Sequence, residues 1–305
     1  MPAPIRLGTR NSALARWQAK WVRDLLHSAG TFVELVPIST QGDRVQNTSI
    51  REVGSVGLFT KELQRALLDG RIDLAVHSLK DLPTDPVAGL TLAAVPSRSS
   101  PFDALVAADG VTLSQLPPGS RVGTGSLRRQ AQLLYARPDL QLADIRGNVD
   151  TRLRKLDEGQ FDALLLAAAG LSRLALTDRI TETIDPQVMI PAVGQGALGL
   201  EVREDNTDTR DAVRTLDDRA THKAVIAERS LLATLRGGCL APVGAWARFE
   251  EDHFVLDAVV LDPAGKQRLH CQATGDPDSP QQLGELAAQQ LFDAGAEDLL
   301  AASRA

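Results

Sequence analysis

IRLGTRNSALARWQAKWVRDLLHSAGTFVELVPIS, running from Ile5 to Ser39, decides the fold class. IRLGT (Ile5–Thr9) reads as a short strand. Ser12 stands where a side-chain oxygen can accept from the free N–H groups of a helix running from Ala13 to about Ala29. FVELVPIS (Phe32–Ser39) then alternates like a second strand. A helix between two strands is a crossover connection, and crossovers build parallel sheets. Downstream, residues 40–57 are polar and glycine-punctuated and read as a loop. Thr60 is expected to cap a helix over Lys61–Asp69, ended by Gly70. IDLAVHS (Ile72–Ser78) is an apolar strand halted by Pro83.

The pattern then restarts. RVGT (Arg121–Thr124) is a strand, Ser126 opens a helix to about Tyr135, and LQLADIR (Leu140–Arg146) is another strand. Asn148 caps a helix to Asp157, and FDALLLAAAG (Phe161–Gly170) is a buried strand leading into a helix. Pro96–Pro101 and Pro191–Gly199 read as paired crossovers, which predicts a hinged molecule of two lobes with a cleft. From about Thr221 a helix is followed by alternating strands (AWARFE, HFVLDAVVLD, KQRLHCQAT) and a last helix over Pro280–Ala294. The expected division is an α/β domain 1 over 1–96 with 197–214, an α/β domain 2 over 102–190, and a small α+β domain 3 over 219–305.

Composition bounds the class. A chain of 305 residues with 43% hydrophobic and 24% charged residues is ordinary for a globular protein of two or three domains. No stretch approaches the roughly 18–20 apolar residues of a membrane span. MPAPIRLGTR lacks an apolar signal core, and two distant cysteines do not make a disulfide framework, so a reducing cytoplasm is expected. There is no CxxC and no His/Cys cluster at ligand spacing, so no metal is expected. A net charge of −6 argues against nucleic acid. Yet there are 27 arginines against 6 lysines. Codon bias is one account of that excess. Recognition of carboxylates or phosphates, where a planar fork outperforms an ammonium, is the other.

Position bears on the choice. GTGSLRR (Gly123–Arg129) joins a strand to a helix, and a helix N-terminus is a natural anion site. Arg128 and Arg129 in its first turn oppose the helix dipole, which stability alone does not favour. The third glycine of a dinucleotide-binding loop is missing. Arg146 ends the next strand, Arg152 sits early in the helix after it, and Arg173 follows a third strand. Arg6 and Arg10 flank the first strand of the other lobe. Strand C-terminal ends are where open α/β sheets bind ligands, so the set points to a polyanion. Lys80 and Asp81, in HSLKDLP, read either as a surface ion pair or as a catalytic pair at the cleft edge; His77 before them reads as packed. Cys239 stands between Gly238 and Leu240, just past a helix end, and is either a small buried hydrophobe or an exposed thiol.

Together these segments resemble the porphobilinogen deaminase family. The likeness rests on IRLGTRNSALARWQA, GLFTKEL, DLAVHSLKDLP, GTGSLRRQAQL, IRGNVDTRLRKL, DALLLAAAGL, PAVGQGALG and ERSLLATLRGGCLAPVGA, in the family's order and across essentially the whole chain. The resemblance implies three domains, two of them like the lobes of type II periplasmic binding proteins. It implies an enzyme that joins four porphobilinogen molecules head to tail, releasing ammonia, and hydrolyses the product off as hydroxymethylbilane. Its implied cofactor is a dipyrromethane in thioether linkage to Cys239. Its implied catalytic residues are Asp81 and Lys80, with Asp81 a buried carboxylate that assists loss of the amine and stabilises the resulting azafulvene cation. Lys80, Ser78, Thr124, Ser126, Arg128, Arg129, Arg146 and Arg173 would hold the cofactor. Arg10, Ser12, Gln18, Arg146 and Arg152 would hold substrate. The implied partners are porphobilinogen and the growing polypyrrole, with no nucleic acid or membrane, on a monomer.

The chain departs from the family pattern at Val56 and Glu52, where relatives carry lysines, and at Ala241, where a β-branched residue is commoner. A rival reading is a solute-binding module of the same bilobal fold without chemistry, for which a third domain bearing Cys239 has no purpose.

Overall fold

The computed structural model describes residues 3–39, 60–236 and 241–304. The expectations placed on residues 40–57 and on Cys239 lie outside the described residues. The described chain divides into two compact units: Met1–Ser99 with Ala197–His222, and Ser100–Gly196 with Lys223–Ala305.

In the first unit, strand β1 (Ile5–Thr9) leads into helix α1 (Ala13–Ser28) and strand β2 (Val33–Pro37). Helix α2 (Lys61–Leu68) and strand β3 (Leu74–Ser78) follow, with strand β4 (Leu90–Ala94) after them. β1 pairs in parallel with both β2 and β3, as a crossover helix requires. The sheet is completed by a strand from much later in the chain, Leu198–Arg203, giving the order β2-β1-β3-(Leu198–Arg203)-β4. That late strand runs antiparallel to both neighbours. The sequence reading carried the second crossover to Gly199, whereas the strand begins at Leu198: five of its six residues are buried, so it lacks the alternation that marks a half-buried strand.

The two faces of this sheet bury different sets. Leu7, Leu74, Val76, Leu198, Leu200 and Val202 pack against Ala19, Val22 and Leu26 of α1. Ala75 and Ile72 pack with Leu63, Ala66 and Leu67 of α2 on the other. Ser12 caps α1 as expected, its hydroxyl accepting from the Ala15 N–H at 3.3 Å. Thr60 does not cap α2. Its backbone is already helical (φ −110°, ψ −30°), whereas a capping side chain needs an extended backbone to reach back.

The second unit repeats the plan. It contains strand β5 (Asp103–Ala107), strand β6 (Arg121–Gly123), helix α3 (Leu127–Ala136), strand β7 (Gln141–Ala143) and helix α4 (Val149–Asp157). Strand β8 (Ala163–Ala167), the short helix α5 (Ala168–Arg173) and strand β9 (Glu182–Thr183) complete it. The sheet order is β7-β6-β8-β5-β9. β6 is parallel to β7 and β8, and β5 is antiparallel to β8. This is the first sheet's arrangement again: three parallel strands, then one reversed strand brought in by a crossover, here β5 and there β10 (Leu198–Arg203). Leu105, Val122 and Leu165 face Leu133 of α3, while Ala104, Val106, Leu164 and Leu166 face Leu153 and Leu156 of α4.

Helices α6 (Thr207–Arg214) and α7 (Arg219–Thr234) follow β10. A three-stranded antiparallel sheet comes next: β11 (Val243–Glu250), β12 (His253–Leu261) and β13 (Arg268–Gly275). One face of it packs on α7, on α8 (Pro280–Asp293) and on α9 (Ala296–Arg304) around Phe254, Leu256, Leu231, Leu283 and Leu291. The fold is thus mixed α/β, with two sheet-and-helix lobes and a small C-terminal α+β body. Among the described residues no helix is long and apolar enough to cross a membrane.

Candidate functional site

Each lobe gathers candidate residues at one sheet edge, for a topological reason. Parallel strands end on the same side, so the residues after β1 and β3 lie together in the first unit. Thr9 ends β1, and Arg10 and Ser12 follow it. Ser78 ends β3, and Leu79–Asp81 make one 3-10 turn beyond it. Gln18 of α1 is buried and its Nε2 donates to the Ser78 Oγ at 2.8 Å. Gln18, expected to touch substrate, is therefore engaged with Ser78.

That 3-10 turn displays the two residues expected to be catalytic. Leu79 and Leu82 are buried on either side, while Lys80 is half-buried and Asp81 exposed. The expectation of a buried Asp81 is thus corrected. A three-residue turn clamped by two buried leucines points its last polar residue outward. His77, read as packed, is buried, and it faces Glu201 rather than the turn. Arg6 is also not a ligand group: its Nε and Nη2 grip the two oxygens of Asp73 at 2.9 and 2.8 Å.

In the second unit the ends of β6, β7 and β8 share an edge. Thr124 follows β6, is fully buried, and its hydroxyl accepts from the Ser126 N–H at 3.3 Å. Ser126 has the extended backbone of an N-cap, but its side chain makes no cap bond. Asn148 likewise makes no side-chain cap bond. Arg146 Nε donates to Asp144 at 3.1 Å. Arg152 Nε donates to the Gly147 carbonyl at 2.8 Å, a carbonyl aimed that way by a φ of +105° that only glycine adopts readily. Arg173 donates to the Gly196 carbonyl at 2.6 Å. Burial pushes the Arg173 guanidinium down to about 10, so it stays charged at neutral pH in a setting that disfavours the charge.

Arg128 and Arg129 are 4% and 6% exposed. Both converge on one carboxylate that sequence reasoning missed, Asp103, itself 0% exposed. Arg128 presents Nη1 and Nη2 to its two oxygens at 2.8 and 3.0 Å. Arg129 Nε and Nη2 lie 2.8 and 2.7 Å from Oδ1. With two hydrogen bonds from Arg128 and one from Arg129 Nε, Gln195 Nε2 adds the fourth at 3.0 Å. Burial alone would raise the Asp103 carboxyl, but Arg128 and Arg129 hold it well below the usual carboxylate range. Two guanidiniums against one carboxylate leave one net positive charge inside the protein. The Nε–H of Arg128 is buried with no hydrogen-bond partner. A buried unpaired donor on a cation costs free energy unless an acceptor completes it, and an anion is the acceptor that answers both deficits. The sequence carried a signal for the arginines, charges out of place at a helix start. It carried none for Asp103, a single polar residue opening an apolar strand.

Comparison with known proteins agrees over the full length. Residues 5–211 match the family model "Porphobilinogen deaminase, dipyromethane cofactor binding domain", and residues 222–293 match "Porphobilinogen deaminase, C-terminal domain". The chain is 49% identical to the porphobilinogen deaminase of Desulforudis audaxviator over 100% of its length and 99% of that protein's. It is 49% identical to that of Roseiflexus sp. RS-1 over 99% and 100%. Among solved structures, the methionine binding protein MetQ aligns with 75% of this chain and 93% of its own, at 15% identity and a TM-score of 0.46. On its motifs, its two matched family models and its full-length relatives, the chain belongs to the porphobilinogen deaminase family.

Proposed function

We propose that the chain is a transferase that joins four porphobilinogen molecules head to tail, releases ammonia at each addition, and hydrolyses the product from its primer as hydroxymethylbilane. The observation that carries the reading is the buried Arg128–Arg129–Asp103 cluster, which keeps a net positive charge and an unpartnered guanidinium N–H. Each ring of the proposed substrate bears an acetate and a propionate, so the growing chain is the polyanion such donors suit.

The same donors fit a dipyrromethane. In the second unit Arg128 and Arg129 are buried cations, Arg173 is half-buried, Arg146 follows β7, and Thr124 and Ser126 add hydroxyls; in the first unit Lys80 and Ser78 lie at the end of β3. Thr124 accepts one bond and retains its proton to donate. Cys239 is the proposed attachment point, and Arg10, Ser12, Gln18, Arg146 and Arg152 are the proposed substrate residues. Gln18 would act through Ser78. When bound, the dipyrromethane supplies an unsubstituted pyrrole carbon as nucleophile.

Asp81 would do the proton and charge work. As the carbon–nitrogen bond of porphobilinogen breaks, ammonia departs and positive charge spreads over the substrate's pyrrole and methylene. A carboxylate fixed beside that charge lowers the barrier, and an exposed position lets it meet an incoming substrate. The new carbon–carbon bond is followed by loss of the ring proton, which Asp81 can accept. Lys80 would hold a carboxylate of the bound chain. The three-domain division over 1–96 with 197–214, 102–190 and 219–305, a cytoplasmic location and a monomeric state complete the proposal.

The test is the intact mass of the denatured protein beside Cys239→Ser, with conversion of porphobilinogen followed in parallel. Two extra linked pyrrole units on the wild type only, with turnover, support the reading. A bare mass that incubation with porphobilinogen does not raise would sink it.

A further inference from the structure

We infer that Asp103 is a positioning residue for anion binding: by gripping the Nη1–Nη2 edge of Arg128 it leaves the Nε–Nη2 edge as the fork that takes a carboxylate. The inference rests on the reading that Arg128 holds a carboxylate of the dipyrromethane or growing chain. A guanidinium has two edges able to grip a carboxylate with parallel N–H bonds. On Arg128 the end edge is occupied by Asp103, at 2.8 and 3.0 Å. The second Nη1 hydrogen goes to the Ile190 carbonyl at 2.7 Å. What remains is Nε–H, buried without partner, and the second hydrogen of Nη2. Those two N–H groups are adjacent and parallel, and together form the side edge.

Arg129 is different. Its side edge lies on Asp103 Oδ1, its Nη1 donates to the Leu165 carbonyl at 2.9 Å, and its Nη2 reaches Gln195 Oε1 at 3.4 Å. All three of its nitrogens donate a hydrogen bond to the protein. Arg129 thus acts with Asp103 as part of the frame, and of the adjacent pair only Arg128 retains a whole fork.

The topology explains how Asp103 comes to be there. β5 runs antiparallel to β8, with Asp103 opposite Ala167. The first residue of β5 therefore lies at the edge where β8 ends. A carboxylate is needed, not merely a polar residue. Oδ1 takes Arg128 Nη2, Arg129 Nε and Gln195 Nε2, while Oδ2 takes Arg128 Nη1. An amide at this position would turn an NH2 against one of those donors and force Arg128 to rotate.

The experiment compares apoprotein loading by porphobilinogen, read as the rate of mass gain, for wild type, Asp103→Asn and Arg128→Gln, with circular dichroism and melting to measure the folded fraction. The expected result is that both variants load at least tenfold more slowly per folded molecule. If Arg128→Gln is slow and folded Asp103→Asn loads at the wild-type rate, Asp103 is only structural and the inference falls while the reading of Arg128 stands. If Arg128→Gln also loads normally, that reading falls and takes the inference with it. Should Asp103→Asn not fold, a crystal structure of the loaded wild type decides. A ligand carboxylate on the Nε–Nη2 edge, with Asp103 on the other, supports the inference. A carboxylate that displaces Asp103 from the Nη1–Nη2 edge, or none on Arg128, overturns it.

Discussion

His77 Nε2 lies 3.0 Å from Glu201 Oε2 beneath helix α2, in the interior of the first unit. The other carboxylate oxygen of Glu201 accepts from Gln64 Nε2, also at 3.0 Å. His77 is on β3, Glu201 on the reversed strand β10 and Gln64 on α2, so one carboxylate joins three elements that are far apart in sequence. Glu201→Leu would leave two buried polar partners without an acceptor, a loss of about 3 kcal/mol. Glu201→Gln keeps one acceptor oxygen and should cost about 1 kcal/mol. Urea denaturation checks both. Equal midpoints for wild type and Glu201→Leu would show that the three groups do not depend on one another.

Acid stability should depend on Asp103. Its folded-state pKa lies below the ordinary 3.8, because Arg128 and Arg129 outweigh the opposing effect of burial. A depressed carboxylate contributes stability that is fully present above the unfolded value and is lost as pH falls through about 4 toward the folded one. Asp73, held down by Arg6 against its own burial, adds a second contribution of the same sign. Unfolding free energy measured from pH 5 to pH 2.5 should therefore fall steeply. In Asp103→Asn the slope should be shallower by up to about 1.4 kcal/mol per pH unit. An unchanged slope would mean that Asp103 does not titrate with folding.

Asp81→Asn should separate chemistry from assembly. The side chain is exposed on a 3-10 turn fixed by buried Leu79 and Leu82, so the change removes a charge without opening a cavity. The melting temperature and the covalent mass should stay as in wild type, while kcat falls on the order of a hundredfold or more. A wild-type rate would remove Asp81 from the mechanism.

The parts of the fold legible in the sequence are those whose signal is local. The crossover from Ile5 to Ser39 alternates and caps as a strand–helix–strand unit should, and β1, α1 and β2 fall within a residue or two of the expected limits. The reversed strands were harder, because Leu198–Arg203 and Asp103–Ala107 are buried on both faces and show no period of two. Residue type marks the helix starts at Ser126 and Asn148, yet the caps expected at Thr60 and Asn148 make no side-chain bond: the Thr60 backbone is already helical, and Asn148 has the extended backbone of a cap without the bond. At the candidate site, Arg128 and Arg129 stood out because they oppose a helix dipole. Asp103 and Gln195 did not, because their meaning lies in partners 25 and 66 residues away.

Cys271 should be inert. Burial, helped by Asp257, pushes its thiol up to about 11, and its Sγ lies 3.5 Å from the Ala287 carbonyl. At pH 8 the thiolate fraction is then about a hundredfold below that of an ordinary cysteine, and the thiolate is the reactive form. Brief treatment of folded Cys239→Ser with iodoacetamide at pH 8 should add no mass, and denaturation should expose one reactive site. Rapid labelling in the folded state would contradict the burial of Cys271.

Gly284 fixes how α8 lies on α7. A methyl group there would come within 2.3 Å of the Ala227 carbonyl oxygen, 2.7 Å of the Leu231 nitrogen and 2.7 Å of the Ser230 Cβ. Two of those three atoms belong to the backbone of α7, so no rotamer change can relieve the clash. The helices must part, against a core that includes Leu231, Leu283 and Ala287. Gly284→Ala raises intrinsic helix propensity by about 1 kcal/mol, yet the separation should cost more, for a net loss of about 1–3 kcal/mol. The sign is what tests the packing. If helix propensity governs, the variant melts higher. If close approach of the two backbones governs, it melts lower, and Gly284→Ser, with a similar Cβ and a weaker helix former, melts lower still. Because α7 is the helix that leads toward Cys239, the variant should also slow covalent loading per folded molecule. Normal loading with reduced stability would confine the role of Gly284 to packing.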